Sequence, residues 1–591
     1  MKSKKVSKVC WLLVVALIAT AMVLPACAGE AVEEEEPELT FEESHIPLAD
    51  ILNSVEVDGQ WVQFNLATPY EPFLQILANS WGSIVDKEWC IENGDWDGTE
   101  ASYEALNDPP SGGSPINAIM NGTGPFALER WEPGVETSLV RNDNYWQEPA
   151  KLERVLFKVV DEWTTRKLML EAGDADHVDV PRAYIDELEG VEGLTVYKDL
   201  PQLQNDAFFF QFAISPESTF VGSGKLDGNG IPLDFFTDVN VRKGIACAFD
   251  WETYLRDAML GEAQQIGSPI VEGLSYYDPN APRYSMDLDK ATEYFKQAWG
   301  GEVWEKGFTF TIAYNAGNLP RKTACEILQE NLFSINPKFT VLIQVMQWPT
   351  LLRSMYVALL PMFQIGWQAD YPDAHNFVSP FMSSSGTFSG WQNYNNPDVD
   401  ALIAAGISAA TPAERESIYR QLDQLYIDDV PSFIIDQPLG RRYFRDWVTG
   451  WYFNPVLPSM LGYIYALSEA QSPHPDTFVY ATIGPPDSLD PAYAYDTASG
   501  EIIQAVYETL IFYDGESTTN FVPMLATEWN VSADGKTYRF KIREGVKFHN
   551  GNDLTPEDVE YSIERGMVQD YGAGPQWMLF EPLLGIQTSR R

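Results

Sequence analysis

The stretch Tyr538-Arg539-Phe540-Lys541-Ile542-Arg543-Glu544-Gly545-Val546-Lys547-Phe548-His549-Asn550-Gly551 begins with apolar residues at every second position, separated by Arg539 and Lys541. A period of two puts one set of side chains on a buried face, so 538–542 reads as a strand. Thr555-Pro556-Glu557-Asp558 then opens a helix, with a capping Thr and a Pro at the first helical position. Outward from here the two signals alternate without a fixed period. Strands are expected at 57–66 (after a turn), 152–160, 207–214 and 308–314. Helices are expected at 164–172, 241–260, 290–299, 321–332 and 412–425. Strands and helices in irregular order favour an α/β fold with segregated parts.

The chain has 591 residues, 45% of them hydrophobic and 21% charged. That is too long for one core and too apolar for disorder, so two or three subdomains are expected. Lys and Arg number 39 against 85 Asp and Glu, a formal charge of −46. Such a surface repels phosphate backbones, which excludes nucleic acid as a partner. The acidity itself fits a saline habitat, a cationic ligand or plain solubility. With 18 Trp, 28 Tyr and 31 Phe, most aromatic rings must be core, and some are free to line a cleft.

The N-terminus reads as an address. Lys2, Lys4, Lys5 and Lys8 precede an apolar run over 11–24, too short for a comfortable span and right for a signal-peptide core. It ends in Leu24-Pro25-Ala26-Cys27, which resembles a bacterial lipobox with Cys27 as the lipidated first residue after cleavage. The alternative is an ordinary cleaved signal with a chance Cys. Residues 28–43 carry Glu33-Glu34-Glu35-Glu36, interrupted by Pro37, and read as a solvated tether. No second apolar stretch of spanning length follows, so the body is expected to be soluble and extracytoplasmic. Cys90, Cys247 and Cys325 have no metal spacing and are expected as free, buried thiols.

Catalytic motifs are missing. There is no H-E-x-x-H, paired C-x-x-C, G-x-S-x-G or phosphate-binding G-x-x-x-x-G-K-[ST]. The acid-plus-His cluster Asp174, Asp176, His177 and Asp179 reads as a solvated helix end in preference to a metal site. Asp227-Gly228-Asn229-Gly230 lacks the distal Glu of a calcium loop and reads as a hairpin turn. Neither an enzyme, a cofactor nor a metal is expected. Ser472-Pro473-His474-Pro475-Asp476, with two prolines in five residues, is the best internal linker.

Several segments resemble the family 5 extracellular solute-binding proteins of ABC importers, the peptide and nickel group. They are Phe478-Val479-Tyr480 with Asp487-Ser488-Leu489-Asp490-Pro491, then Val506-Tyr507-Glu508-Thr509-Leu510, Pro523-Met524-Leu525-Ala526 with Trp529, and the 538–551 stretch. Gly122-Thr123-Gly124-Pro125-Phe126, Arg141-Asn142 with Tyr145-Trp146, and Val241-Arg242-Lys243-Gly244-Ile245 belong to the same pattern. So do Trp367-Gln368-Ala369-Asp370-Tyr371 and Asn396-Pro397 with Asp400. The resemblance implies an α/β, two-lobe periplasmic-binding-protein-like fold of type II, in the large form with an extra subdomain. The order departs from the family: its opening segment stands here at 475–591, after its end, and occurs once. A circular permutation and an error of gene assembly both produce that order, and both require 475–591 to pack against 44–205. The implied division is a signal peptide (1–26), a tether (27–43), an extra subdomain of lobe I (44–120 with 516–591), the core of lobe I (121–205 with 441–515) and lobe II (206–440).

The resemblance also implies site residues. In peptide-binding relatives the Asp of W-x-A-D-Y pairs with the peptide ammonium, which here is Asp370 at the cleft mouth, with Trp367, Gly366 and Tyr371 beside it. Trp348, 19 residues before Trp367, is placed to flank a side-chain pocket. Some oligopeptide-binding relatives carry an Arg two residues before the Gly-Trp; here that position is Gln364, so that carboxylate anchor is missing. The expected function is a lipid-anchored, monomeric receptor that captures peptides or similar cationic solutes and delivers them to an ABC permease. The alternatives are an oligosaccharide- or nickel-complex-binding member of the family, and a surface protein that kept the fold without transport.

Overall fold

The computed structural model describes residues 46–110, 112–409, 411–457, 465–570 and 574–586. Cys27, the signal segment and the tether lie outside them. The long stretch that opened the sequence reading forms a strand, Thr537–Ile542, flanked antiparallel by Trp61–Asn65 and Ala526–Val531. Its registers put Val62 opposite Phe540 and Phe64 opposite Tyr538, four buried side chains on one face. Trp61–Asn65 pairs on its other side with Val55–Asp58 through a tight turn that Gly59 permits at φ 59°. The helix Pro556–Gln569 follows with a full capping box between Thr555 and Asp558.

A long mixed sheet runs through the rest of the molecule. Thr477–Thr482 lies parallel to Arg154–Val159, with Phe478 opposite Val155, and parallel to His177–Val178 on its other side. Both sheets thus join a strand from 475–591 to strands from 44–205, the packing expected from the sequence. Arg565 strengthens the junction: its guanidinium grips Asp490 at 2.9 and 2.6 Å and Asp95 at 2.8 Å, all three buried.

The sheet passes into a second set of strands, Gln204–Phe210, Met362–Gln368, Phe308–Asn315 and Phe339–Met346. Phe208 and Phe210 face one apolar layer and Phe209 the other, so the run of three phenylalanines is a strand buried on both faces. The strand Ser432–Arg445 belongs to both sets. Its first half pairs with Gln204–Phe210 and its second with Leu194–Pro201 and His177. Together with the link from Pro201 to Gln204 it forms the crossover between a lobe I core (48–157 and 444–583, in the main) and lobe II cores over 203–435.

Three expectations need correction. The helix expected over 241–260 stops at Ala248; Phe249 is extended and Asp250 caps a new turn by accepting from the Thr253 N–H. The 472–476 linker is tied down: His474 bonds the carbonyls of Gly173 at 3.0 Å and Thr477 at 2.9 Å. The Asp227 turn is a wider loop, closed by a bridge between Gly222 and Gly230. Cys90, Cys247 and Cys325 are free and buried. No helix among the described residues is long and apolar enough to cross a membrane.

Candidate functional site

The strand Met362–Gln368 delivers Asp370 to the junction of the lobes. Asp370 is enclosed there rather than standing at a cleft mouth, because two lobe I residues close over it. Its carboxylate accepts hydrogen bonds from the Tyr495 hydroxyl and from Asn376 Nδ2 (3.0 Å). Its N–H donates to Asn376 Oδ1 at 2.9 Å, and its carbonyl accepts from Asn79 Nδ2 at 3.1 Å. Burial pushes the Asp370 carboxyl up to about 6, against the lowering effect of the Tyr495 and Asn376 bonds.

The residues that follow bind lobe I as well. The Tyr371 and Tyr70 hydroxyls lie 3.1 Å apart, and Tyr70 donates to Glu581 Oε2 at 3.2 Å. Arg415 holds Asp373 through both terminal nitrogens at 2.9 and 2.7 Å and also pairs with Glu71 of lobe I. Tyr371, Asp373 and Arg415 therefore hold the lobes together on one flank of Asp370.

The other residues singled out by sequence play several parts. Trp367 is half-buried; its indole N–H donates to Asn376 Oδ1 at 3.2 Å and its ring meets Phe388 edge-on at 5.5 Å. It therefore orients the amide that bonds Asp370. Gly366 is required by close approach, since a Cβ there would lie 2.7 Å from the Asn205 carbonyl and 2.9 Å from Arg321 and Asp206 atoms. Gln364 is fully buried and donates to Asp206 Oδ1 at 3.2 Å. Asp206 is paired with Arg321 at 2.8 Å. Trp348 begins the helix Trp348–Tyr356, but its side chain lies outside the described part.

Of the acid-plus-His cluster, only Asp174 is an exposed helix end, just past Trp163–Ala172; Asp176, His177 and Asp179 are drawn into the sheet. Asp176 accepts from Trp447 Nε1 at 2.7 Å and the Val479 N–H at 2.8 Å. Asp179 accepts from the Tyr480 hydroxyl at 2.6 Å and from Thr482 Oγ1 at 2.9 Å. His177 donates from Nδ1 to the Tyr443 carbonyl at 2.7 Å, and burial pushes it down to about 4. These groups fasten the strand Thr477–Thr482 into the sheet. Among the described residues no group of three acids, His or Cys is arranged for a metal.

A cavity of about 460 Å³ lies beside this cluster, at the crossover. Its wall includes Arg182, Gln202, Gln204, Glu262, Arg441 and Arg442. Sequence reading missed all six, because four separate segments bring them together. Arg182 Nη1 meets Glu262 Oε2 at 2.9 Å, and Arg441 pairs with the other oxygen of Glu262. Gln204 on its wall is the strand partner of Gln368, two residues before Asp370.

Comparison with known proteins agrees with this architecture. The family model for bacterial extracellular solute-binding proteins, family 5 (middle), matches residues 32–389 and 520–589. The probable D,D-dipeptide-binding periplasmic protein DdpA of Escherichia coli (strain K12) is 24% identical over 406 residues, 68% of this chain and 70% of that protein. Heme-binding protein A of Haemophilus influenzae is 22% identical over 417 residues, 70% of this chain and 68% of its own length. Among solved structures, the periplasmic binding protein DppA of Helicobacter pylori, in complex with the peptide STSA, superposes with a TM-score of 0.52 at 22% identity. That match covers 70% of this chain and 75% of the other.

Proposed function

Because this chain belongs to the bacterial extracellular solute-binding proteins of family 5, we propose that it captures peptides, or similar cationic small solutes, between its lobes and delivers them to an ABC permease. The observation that carries the reading is Asp370: a buried carboxylate whose hydrogen bonds come from neutral donors, with its pKa raised by burial. An enclosed carboxylate without a cation is costly, so the site favours a ligand that brings an ammonium. The dipeptide-binding name of one relative supports ligands of this size. Asp370, Trp367, Gly366 and Tyr371 form the ammonium end of the site, and Trp348 is kept as a ligand-binding residue on its sequence spacing alone; Gln364 supports the floor through Asp206.

The segment order is a circular permutation of the family's, and the two strand pairings between 475–591 and 44–205 support it. The lobe boundaries of the sequence reading are kept on the same ground. Cys27 carries the lipid anchor and 28–43 the tether. Replacing Cys27 by Ser is expected to move the protein from the detergent phase to the aqueous phase; unchanged partitioning would reject the anchor.

Titration with a random tripeptide pool and with neutral oligosaccharides, followed by tryptophan fluorescence, tests the ligand class. Tripeptides are expected to bind. Binding of the oligosaccharides alone would overturn the reading.

A further inference from the structure

The hydrogen bond from Tyr495 to Asp370 is the last link of a chain that begins in the lobe I helix Trp577–Leu584. Trp577 Nε1 lies 3.3 Å from the Tyr495 oxygen. An indole N–H only donates, so the Tyr495 oxygen accepts there and its own proton points to Asp370. An ionised carboxylate only accepts, which fixes the same direction from the other end. Desolvation and the Asp370 charge hold the Tyr495 hydroxyl above its ordinary value, so it keeps the proton it donates. Trp81 meets the Tyr495 ring edge-on at 6.0 Å and steadies it. Trp577 and Glu581 stand four residues apart and share a helix face. Glu581 accepts from Tyr70 at 3.2 Å and lies 3.6 Å from His375. One lobe I helix thus reaches the lobe II segment 370–375 at two points, one of them through Tyr495.

We propose that Tyr495, oriented by Trp577, is a positioning residue that keeps Asp370 ionised and fixed when the lobes are closed, so that it receives the ligand ammonium. The proposal rests on the peptide reading above and deepens it. A carboxylate has about four acceptor sites, two on each oxygen. Tyr495 takes one on Oδ1 and Asn376 one on Oδ2, which leaves one on each oxygen for the ammonium. Enclosure raises the Asp370 carboxyl to about 6, and the Tyr495 bond is the largest influence opposing it. The other titratable groups around Tyr371 are engaged elsewhere: Tyr371 itself with Tyr70, Asp373 with Arg415, and Glu581 with Tyr70 and His375. Tyr495 and Trp577 belong to lobe I and Asp370 to lobe II, so the bond forms only as the lobes meet. It then supplies what solvent gives an exposed carboxylate.

The test uses a random tripeptide pool and its N-acetyl form, followed by equilibrium dialysis and mass spectrometry between pH 5 and 7.5. Tyr495→Phe keeps the ring and removes the hydroxyl, and circular dichroism checks its fold. Comparing variant with unmutated protein at each pH cancels the peptide's own ionisation. Losing a hydrogen bond to a charged group should raise the Asp370 midpoint by about one pH unit. The weakening of the free pool should therefore deepen roughly sevenfold from pH 7.5 to pH 5. Trp577→Phe should move the midpoint the same way by less; an unmoved midpoint there overturns its orienting part. A loss in Tyr495→Phe that is equal at every pH marks a plain tie between lobes and overturns the proposal, while the peptide reading stands. Equal binding of the two pools by the unmutated protein, or binding of neither, overturns the ammonium reading and this inference with it.

Discussion

The carboxylate of Asp370 on lobe II accepts a hydrogen bond from the hydroxyl of Tyr495 on lobe I, 125 residues further along the chain. The bond ties the lobes across the group assigned to the ligand ammonium. The Tyr70–Tyr371 contact and the Arg415–Glu71 pair close the same flank. On the proposed reading, a ligand ammonium would have to exchange or share the bonds that Tyr495 and Asn376 make to Asp370.

Acid should weaken binding through Asp370. Its carboxyl is pushed up to about 6 from an ordinary 3.8, and only the ionised form attracts an ammonium. Affinity is therefore full above about pH 7 and falls as pH drops through 6. At pH 5 about one molecule in ten is competent, so the dissociation constant rises roughly tenfold. Calorimetric titrations of a tripeptide between pH 5 and 8 check this. An affinity that rises as the pH is lowered would contradict it.

Arg565 is the chief electrostatic fastening of the 475–591 segment to the rest. Substituting Ala would leave Asp490 and Asp95 buried without their cation, and removing one partner of a buried pair costs about 3–5 kcal/mol. In the folded protein Arg565 is the main influence holding the Asp490 carboxyl down against its burial. Urea unfolding of Arg565→Ala should show a loss of that size; a change below about 1 kcal/mol would contradict the assignment.

The strand pairs predict that the chain does not fold without its C-terminal fifth. A truncation at residue 470 removes Thr537–Ile542 and Thr477–Thr482, leaving Val62, Phe64 and Val155 without their strand partners. Such an exposed apolar face should aggregate on size-exclusion chromatography. A monomeric fragment with a cooperative melt would show that 475–591 is an independent appendage.

Much of the fold was legible because local periodicity coincides with burial. The strands at 538–542 and 154–159 and the helices at 163–172 and 412–429 follow their hydrophobic spacing. The break after Ala248 was not legible, because Asp250 acts as a cap only once Phe249 turns into the core. The Asp174-to-Asp179 cluster looked solvated for a related reason: its partners Trp447, Tyr443 and Tyr480 lie more than 260 residues away. Asp370 was singled out by its motif, but its enclosure between Tyr495, Asn376 and Asn79 was not legible. Tyr495, Asn79 and the arginine cavity were not, since each is assembled by lobe contact rather than by sequence spacing.

The central claim is that Asp370 pairs with a ligand ammonium. Calorimetric titration of the unmutated protein and of Asp370→Asn with a free tripeptide and its N-acetyl form tests it most directly. Truncating one side of a buried charge pair costs about 2–5 kcal/mol, so the substitution should weaken the free peptide roughly 30-fold or more. The N-acetyl peptide should bind the unmutated protein weakly and be little affected by the substitution. Equal binding of the free and N-acetyl peptides by the unmutated protein would contradict the claim.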